Sequence, residues 1–199
     1  MRRGLRTILL FAAVALSGAA PAAAHPHVWI DASATFIFAD AKLAAVAHRW
    51  TFDEVLSAVF AREFDKNRDK TFDQAESKDL FEKTFESLKD YDFFMHFFVD
   101  EKRVTLTEVR DFRATIGPDG KLTYNFVVPL PQSVDPAKAQ VRMSVYDDSY
   151  YIDVALNRAE PARIEGLAAG RCTIEASEKD AELANFGLSP TLHIRLRCP

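Results

Sequence analysis

The sequence predicts an α+β protein with a β-sandwich-like body and an inserted helix-loop-helix of the EF-hand type. From residue 91 onward, short apolar segments alternate with turn signals, which is typical of a β-sandwich. Two segments between residues 52 and 89 instead repeat their apolar residues with helical spacing. The 199 residues are 48% hydrophobic, which is enough for a core. We therefore expect a single β-rich domain over residues 25–199, with the helix-loop-helix inserted at about 52–89.

Residues 1–24 have the features of a secretory signal peptide. Three arginines among the first six residues precede an apolar segment, Ile8–Leu16, that is too short to span a bilayer. Small residues follow, and cleavage after Ala24 satisfies the small-x-small rule. We therefore expect a periplasmic protein that has no membrane anchor after cleavage. Loss of the three arginines would change its formal charge from −4 to −7.

The mature chain begins with a predicted hairpin and two helices. The segments His27–Phe38 and Leu43–Thr51 are β-rich and flank a turn over residues 39–42. Phe52–Phe64 and Gln74–Lys89 each place their apolar residues on one helical stripe. The remaining candidate strands are Phe93–Val99, Val104–Val109, Phe112–Ile116, Leu122–Val128, Gln140–Tyr146, Tyr150–Ala155, Cys172–Ala176 and Thr191–Leu196.

The composition argues against several classes of function. The chain has seven glycines, and none of them has the spacing of a dinucleotide-binding or phosphate-binding loop. The net charge of −4, without a basic run beyond the first six residues, argues against nucleic acid as a partner. No Ser/His/Asp or Cys/His triad can be assembled from the sequence. We therefore expect a binding protein and not an enzyme.

The segment Asp65–Glu76 matches a twelve-residue calcium loop between two helices. Ca²⁺ prefers six to eight hard oxygens around one point, and alternate residues of a tight loop supply them. The predicted ligands are Asp65, Asn67, Asp69, the carbonyl of Thr71, Asp73 and Glu76. One such loop in a secreted protein favours a weak structural Ca²⁺ site over a calcium sensor, with Mg²⁺ as a lesser alternative. The competing interpretation is a solvated acidic loop.

Lys70 departs from the calcium-loop pattern. It stands at loop position 6, where glycine usually makes a sharp turn with positive φ. A lysine in that left-handed conformation costs about 1 kcal/mol. Occupancy of the loop by calcium therefore depends on whether the chain accepts this cost.

Cleavage after Ala24 would create a mature N-terminus of His25-Pro26-His27. The α-amine and the ring Nδ1 of His25 would chelate one metal ion, and His27 would add a second imidazole. Nitrogen donors of this kind suit copper and also zinc, nickel or cobalt. Pro26 has no amide N–H, which excludes the planar binding mode that uses deprotonated amides. The competing interpretation is two histidines at a frayed chain end.

His48 is the predicted third nitrogen ligand of this transition-metal site. If the hairpin turns at Asp40-Ala41, Ser33 pairs with His48, and His48 shares a sheet face with His27. A shift of one residue would place His48 on the opposite face. The alternative is that His48 packs as a structural side chain.

Three weaker features complete the sequence. His96 and His193 lie in apolar strand segments and are interpreted as structural histidines. The segment Tyr146–Tyr151 has the pattern of a hairpin turn with flanking aromatic residues. Cys172 and Cys198 are expected to form one disulfide in an oxidising compartment.

Four segments together resemble the domain of unknown function 1007 family of bacterial secreted proteins. They are His25–Asp31 (HPHVWID), His48–Glu54 (HRWTFDE), the Asp65–Glu76 loop and Tyr146–Tyr151 (YDDSYY). The resemblance covers nearly the whole mature chain, and HPHVW is its most specific motif. It implies a periplasmic component of a metal-ion transport system, with an ABC-type transporter or a nickel/cobalt-type inner-membrane permease as partner.

Three functional hypotheses follow. The first is a periplasmic metal-binding accessory or substrate-binding component of a transition-metal transporter, with structural Ca²⁺ in the helix-loop-helix. The second is a copper oxidase that uses a histidine brace at the N-terminus. The third is a calcium-stabilised interaction module without a transition metal.

Overall fold

A computed structural model describes residues 28–149, 151–166, 171–179 and 190–199. Its elements, in chain order, are β1 (Val28–Ala39), β2 (Lys42–Phe52), α1 (Glu54–Phe64), α2 (Gln74–Thr84), a 3₁₀ segment (Glu86–Phe94), β3 (Met95–Val99), β4 (Lys102–Val104), β5 (Arg110–Ile116), β6 (Leu122–Val134), β7 (Val141–Val145), β8 (Ile152–Leu156), β9 (Ala162–Glu165), β10 (Thr173–Lys179) and β11 (Thr191–Arg197). The predicted signal peptide, His25 and His27 lie outside the described residues.

The strands form two sheets, which confirms the β-rich α+β class. The six-stranded sheet has the order β5-β6-β2-β1-β8, and β9 also pairs with β1. The five-stranded sheet has the order β10-β11-β7-β3-β4. The two helices follow the first hairpin, as the sequence predicts. None of the helices in the described ranges is long and apolar enough to cross a membrane.

The first hairpin turns at the predicted position but has a different register. Asp40 and Ala41 both have positive φ, at 50° and 61°, as tight two-residue hairpin turns require. Phe38 then pairs with Leu43, whereas Ile37 pairs with Ala45, so Ala44 is an extra residue in β2. This bulge moves every later pair by one position, and His48 pairs with Ala34 instead of Ser33. The predicted pairing of Ser33 with His48 is therefore wrong.

The predicted disulfide between Cys172 and Cys198 is present. Cys172 directly precedes β10 and Cys198 directly follows β11. These two strands are antiparallel, and Thr173 pairs with Arg197. The disulfide therefore closes the open end of this strand pair.

One apolar cluster contains residues from both sheets and from the helices. Trp50 of β2 is 1% exposed and stacks on Phe94, with 6.0 Å between the ring centroids. Polar contacts fix the helices on the six-stranded sheet. Ser57 Oγ of α1 accepts a hydrogen bond from the Leu122 amide at 2.9 Å, and the Tyr124 hydroxyl bonds to Thr84 Oγ1 of α2 at 2.9 Å.

The strand predictions after the helices are partly wrong. Val104–Val109 was expected to be one strand, but β4 ends at Val104. The next residues leave the sheet because the Leu106 amide donates to Asp92 Oδ1 at 2.7 Å and the Leu106 side chain is fully buried. The four-residue strand β9, at one edge of the sheet, has no counterpart among the predicted strands.

Candidate functional site

The segment between α1 and α2 has a locally determined backbone. Asp73 is the N-cap of α2, and its carboxylate accepts from the Glu76 amide at 2.8 Å. In return, Glu76 Oε2 accepts from the Asp73 amide at 3.1 Å, which completes a capping box. The same two carboxylates that are predicted to bind Ca²⁺ therefore also start the second helix.

The backbone at Lys70 has the conformation that a calcium loop requires. Its φ is +64°, in the left-handed region that glycine usually occupies at loop position 6. The expectation of a left-handed Lys70 is therefore confirmed. Arg68 also has a positive φ of 62°. This second left-handed residue was not predicted, because arginine carries no signal for that conformation.

The first and last residues of the loop are its two most buried carboxylates, each 7% exposed. Asp65 accepts from the Asp69 amide at 3.2 Å and from the Lys70 amide at 3.0 Å. Glu76 Oε1 accepts from the Lys66 amide at 2.7 Å. Both side chains are thus held inside the loop by its own backbone.

The middle of the loop is exposed and is organised by short-range hydrogen bonds. Asn67 Oδ1 accepts from the Asp69 amide at 2.9 Å, and Asp69 Oδ1 accepts from the Thr71 amide at 2.8 Å. Hydrogen bonds from the side chain and backbone of Thr71 lower the pKa of Asp69. Asp69 is therefore ionised at neutral pH, as a cation ligand must be.

The loop fits Ca²⁺ in its donor set and backbone, but its carboxylates are not gathered around one point. Every predicted ligand offers an oxygen, which is the donor that Ca²⁺ prefers. However, no three His, Cys, Asp or Glu side chains in the described ranges converge as a metal-binding group. The carboxylates instead accept from the loop amides. Calcium binding would require those side chains to exchange amide partners for the ion.

His48 lies in the core and not on the face that the sequence predicts. Because it pairs with Ala34, it shares the face of Ile30 and Ala32, whereas Trp29 lies on the other face and is 46% exposed. His48 is 3% exposed and stacks on Phe126, with 5.2 Å between ring centroids. Burial lowers its pKa to about 3. The predicted shared face with the N-terminal histidines is therefore wrong.

The contacts of His48 are those of a packed side chain. Its Nε2 lies 2.9 Å from the sulfur of Met95, which belongs to the other sheet. Ala34, its partner in β1, lies six residues beyond Val28, or about 20 Å along the strand. His25 and His27 lie outside the described residues, so their predicted ligand roles remain predictions.

His96 is more closely surrounded by polar groups than the sequence suggests. It is 2% exposed, and its ring stacks on Tyr146 with 3.7 Å between centroids and 6° between planes. Its Nε2 lies 3.0 Å from the Tyr146 carbonyl oxygen and 3.9 Å from Asp148 Oδ2. Burial lowers the pKa of His96, an effect that Tyr146 and Asp148 partly oppose. The apolar sequence around His96 contains no sign of these partners, because they come from a distant segment.

The segment after β7 is a crossover between the two sheets and not the hairpin turn that the sequence predicts. β7 belongs to the five-stranded sheet and β8 to the six-stranded sheet. Asp147 is 6% exposed and accepts from the amides of Ser149, at 2.9 Å, and Ile152, at 3.0 Å. Its carboxylate therefore determines the path of the crossover into β8.

Comparison with known sequences places the chain in a family. The family described as protein of unknown function (DUF1007) matches residues 10–186. The chain belongs to the DUF1007 family. It is also similar to an uncharacterized 15.5 kDa protein in the trpE 3′ region of Spirochaeta aurantia, with 30% identity over 110 residues. These residues cover 55% of this chain and 77% of the relative. The family match includes the Asp65–Glu76 loop, His96 and the crossover before β8.

Proposed function

We propose that this protein is an exported metal-binding accessory or substrate-binding component of a transition-metal transport system, stabilised by calcium. In this proposal, Ca²⁺ binds at the Asp65–Glu76 loop, and a transition metal such as nickel, cobalt, zinc or copper binds at the N-terminus created by cleavage after Ala24. The observation that carries the calcium part is the left-handed backbone of Lys70 inside a loop with six oxygen donors. A residue with positive φ at position 6 provides the sharp turn that a calcium loop needs.

The position of the loop explains what the calcium would do. Asp65 follows the last residue of α1, and Asp73 caps the first turn of α2. An ion held by both ends of the loop would tie the two helices together. Since Ser57 and Thr84 fix those helices to the six-stranded sheet, the ion would also stabilise the sheet.

Calcium binding is tested by thermal unfolding of the intact chain in 10 mM Ca²⁺ and in EGTA. A structural site with a Kd of about 0.1 to 1 mM would add about 1.4 to 2.7 kcal/mol to the free energy of unfolding. Glu76→Gln should abolish this gain, because it keeps the capping box but removes the bidentate carboxylate. Glu82→Gln, on the exposed surface of α2, is the matched control and should keep it. Equal melting temperatures with and without Ca²⁺ in the unaltered chain would refute the calcium site.

The transition-metal part depends on the chemistry of the predicted N-terminus. An α-amine and two imidazoles suit borderline metals, whereas the carboxylate loop suits hard cations, so the two proposed sites would not compete. A periplasmic protein that holds such an ion could deliver it to an inner-membrane permease or an ABC-type transporter. The family resemblance is consistent with this partner class.

The N-terminal site is tested with two forms of the protein, one beginning at His25 and one with an alanine before His25. The extra residue displaces the α-amine from the chelate and should weaken Zn²⁺, Ni²⁺, Co²⁺ or Cu²⁺ binding in a calorimetric titration. Binding weaker than millimolar for all four ions, or equal binding by both forms, would refute the proposal. Ascorbate-driven peroxide formation by the copper-loaded protein would instead favour the copper oxidase.

A further inference from the structure

The six-stranded sheet has a polar recess on the face that points away from the core. Trp50 and Phe126 face the core, where both pack against Phe85. Because side chains alternate along a strand, the neighbouring Arg49 and Asn125 lie on the opposite face. The recess on this face has a volume of about 310 Å³. This volume is at the lower end of the range for small-molecule sites.

Short side chains form the floor of the recess. Arg49 of β2 pairs with Asn125 of β6, and Ala47 pairs with Val127. All four residues line the recess. Asn125, Ala47 and Val127 are half-buried, whereas Arg49 is exposed. The floor therefore combines apolar methyl groups with one carboxamide, which both donates and accepts hydrogen bonds.

A bulge in β5 brings a carboxylate to the recess. The strand pairs on either side, at Arg110 and Arg113, leave Asp111 and Phe112 together opposite one residue of β6. Asp111 has a positive φ of 54°. Bulges at sheet edges commonly redirect a side chain. The Phe112 ring packs against Tyr124 in the core, whereas Asp111 is exposed and lines the recess.

Among the described residues, four charged side chains line the recess, and two of them pair with each other. Arg163 and Glu160 form an ion pair. Arg49 and Asp111 form no ion pair and no side-chain hydrogen bond with any residue in the described ranges. The recess therefore presents an unpaired cation and an unpaired anion. This arrangement complements a ligand that carries both a carboxylate and an ammonium group.

The spacing of the two unpaired charges favours a dipeptide over a single amino acid. β6 lies between β2, which carries Arg49, and β5, which carries Asp111, so the two backbones are about 10 Å apart. Two residues of an extended peptide span about 7 Å, and the two charged side chains reach over the remainder. In a free amino acid, a single carbon atom separates the charged groups. Asn125 of β6 lies between the two charges, where its carboxamide matches a peptide group.

We infer that this recess binds a short peptide with free ends, about two residues long. Arg49 binds its carboxylate, Asn125 its peptide group and Asp111 its ammonium group, while Ala47 and Val127 contact its side chains. The inference uses neither the calcium loop nor the N-terminal histidines. It can therefore fail without affecting the proposed function, and the proposed function can fail without affecting it.

The test is calorimetric titration of the chain that begins at His25 with Ala-Ala and with Leu-Leu. At least one of the two should bind with a Kd below about 10 mM. N-acetyl-Ala-Ala lacks the ammonium group and Ala-Ala amide lacks the carboxylate. Each should bind at least about tenfold more weakly than Ala-Ala, because it loses one charge-assisted contact. Free alanine should also bind more weakly.

Variants assign each end of the peptide to one side chain. Arg49→Gln should weaken Ala-Ala binding at least about tenfold and remove the difference between Ala-Ala and its amide. Asp111→Asn should remove the difference between Ala-Ala and its N-acetyl form. Arg62→Gln is the matched control, because Arg62 is an exposed arginine in α1, and it should change the affinity less than about twofold. Since Arg49 and Asp111 are exposed, both variants should keep the melting temperature of the parent protein.

Four results would overturn the inference. The first is no binding of either Ala-Ala or Leu-Leu at about 10 mM. The second is equal binding of Ala-Ala and its two capped forms, because the charges would then have no role. The third is tighter binding of free alanine than of Ala-Ala, which would contradict the spacing argument. The fourth is an equal loss of affinity in Arg49→Gln and Arg62→Gln, which would place the peptide elsewhere.

Discussion

Replacing Lys70 with glycine should stabilise the protein. At a φ of +64°, an L-residue costs about 1 to 2 kcal/mol more than glycine. Glycine also has more freedom in the unfolded chain, which offsets about 0.4 to 1 kcal/mol of this gain. The amide of residue 70 would still donate to Asp65 Oδ2, a bond that is 3.0 Å long. The expected net effect of Lys70→Gly is an increase of about 0.5 to 1 kcal/mol in the free energy of unfolding.

Lys78→Gly is the matched control for this substitution. It removes the same charge and changes the unfolded chain in the same way, but Lys78 lies inside α2. Its ion pair with Glu82 is exposed, at 3.6 Å, and contributes little. Glycine inside a helix costs about 1 kcal/mol relative to good helix-forming residues, so Lys78→Gly should be destabilising. The two variants should therefore differ by about 1.5 to 2 kcal/mol, in opposite directions from the parent protein.

The assay is urea unfolding followed by circular dichroism, in EGTA so that metal binding does not contribute. For a domain of this size, each kcal/mol also corresponds to about 2 to 4 °C in melting temperature. If Lys70→Gly were destabilising to the same extent as Lys78→Gly, residue 70 would not be under left-handed strain. Lys70 would then give no support to the proposed calcium site.

Three further predictions concern the core and the disulfide. Ser57→Ala should lower the free energy of unfolding in urea by about 1 to 3 kcal/mol, since the amide of Leu122 loses a buried acceptor; an unchanged midpoint would contradict this. Burial lowers the pKa of His48 to about 3, below the value of 6.5 in the unfolded chain. As the pH falls, the unfolded state therefore binds the proton before the folded state does, and the free energy of unfolding decreases below about pH 6.5. Urea unfolding at pH 7 and at pH 5 gives the free energy of unfolding that is lost between these pH values. This loss should be smaller by roughly 2 kcal/mol in His48→Leu than in the parent protein, and an equal loss would refute the buried neutral imidazole. Replacing Cys172 and Cys198 together by alanine should cost about 3 kcal/mol by the chain-entropy argument, and a reducing agent should then no longer change the melting temperature.

Local patterns predicted the elements whose residues determine their own conformation. Alternating apolar residues identify β1 and β2, and the helical stripes identify α1 and the start of α2. The predicted helix Gln74–Lys89 ends earlier, at Thr84, and a 3₁₀ segment follows from Glu86. The left-handed Lys70 could be predicted because the spacing of the neighbouring carboxylates requires a turn there. In each case, the residues that carry the signal lie within the element or loop itself.

Long-range contacts account for the errors. Val104–Val109 alternates as a strand should, but the distant Asp92 binds the Leu106 amide and the chain leaves the sheet. The bulge at Ala44 has no glycine or other special residue to signal it. The partners of His96 follow it by about fifty residues, so its apolar neighbours in sequence suggested only a structural histidine.

The bulge at Ala44 determines which face of the sheet His48 occupies. Without it, His48 would have faced the same side of the sheet as Trp29. The extra residue rotates His48 into the core, where Phe126 and Met95 pack against it. Burial there lowers the pKa of His48. A single inserted residue in one strand therefore moves His48 from the face that the sequence predicts into the core.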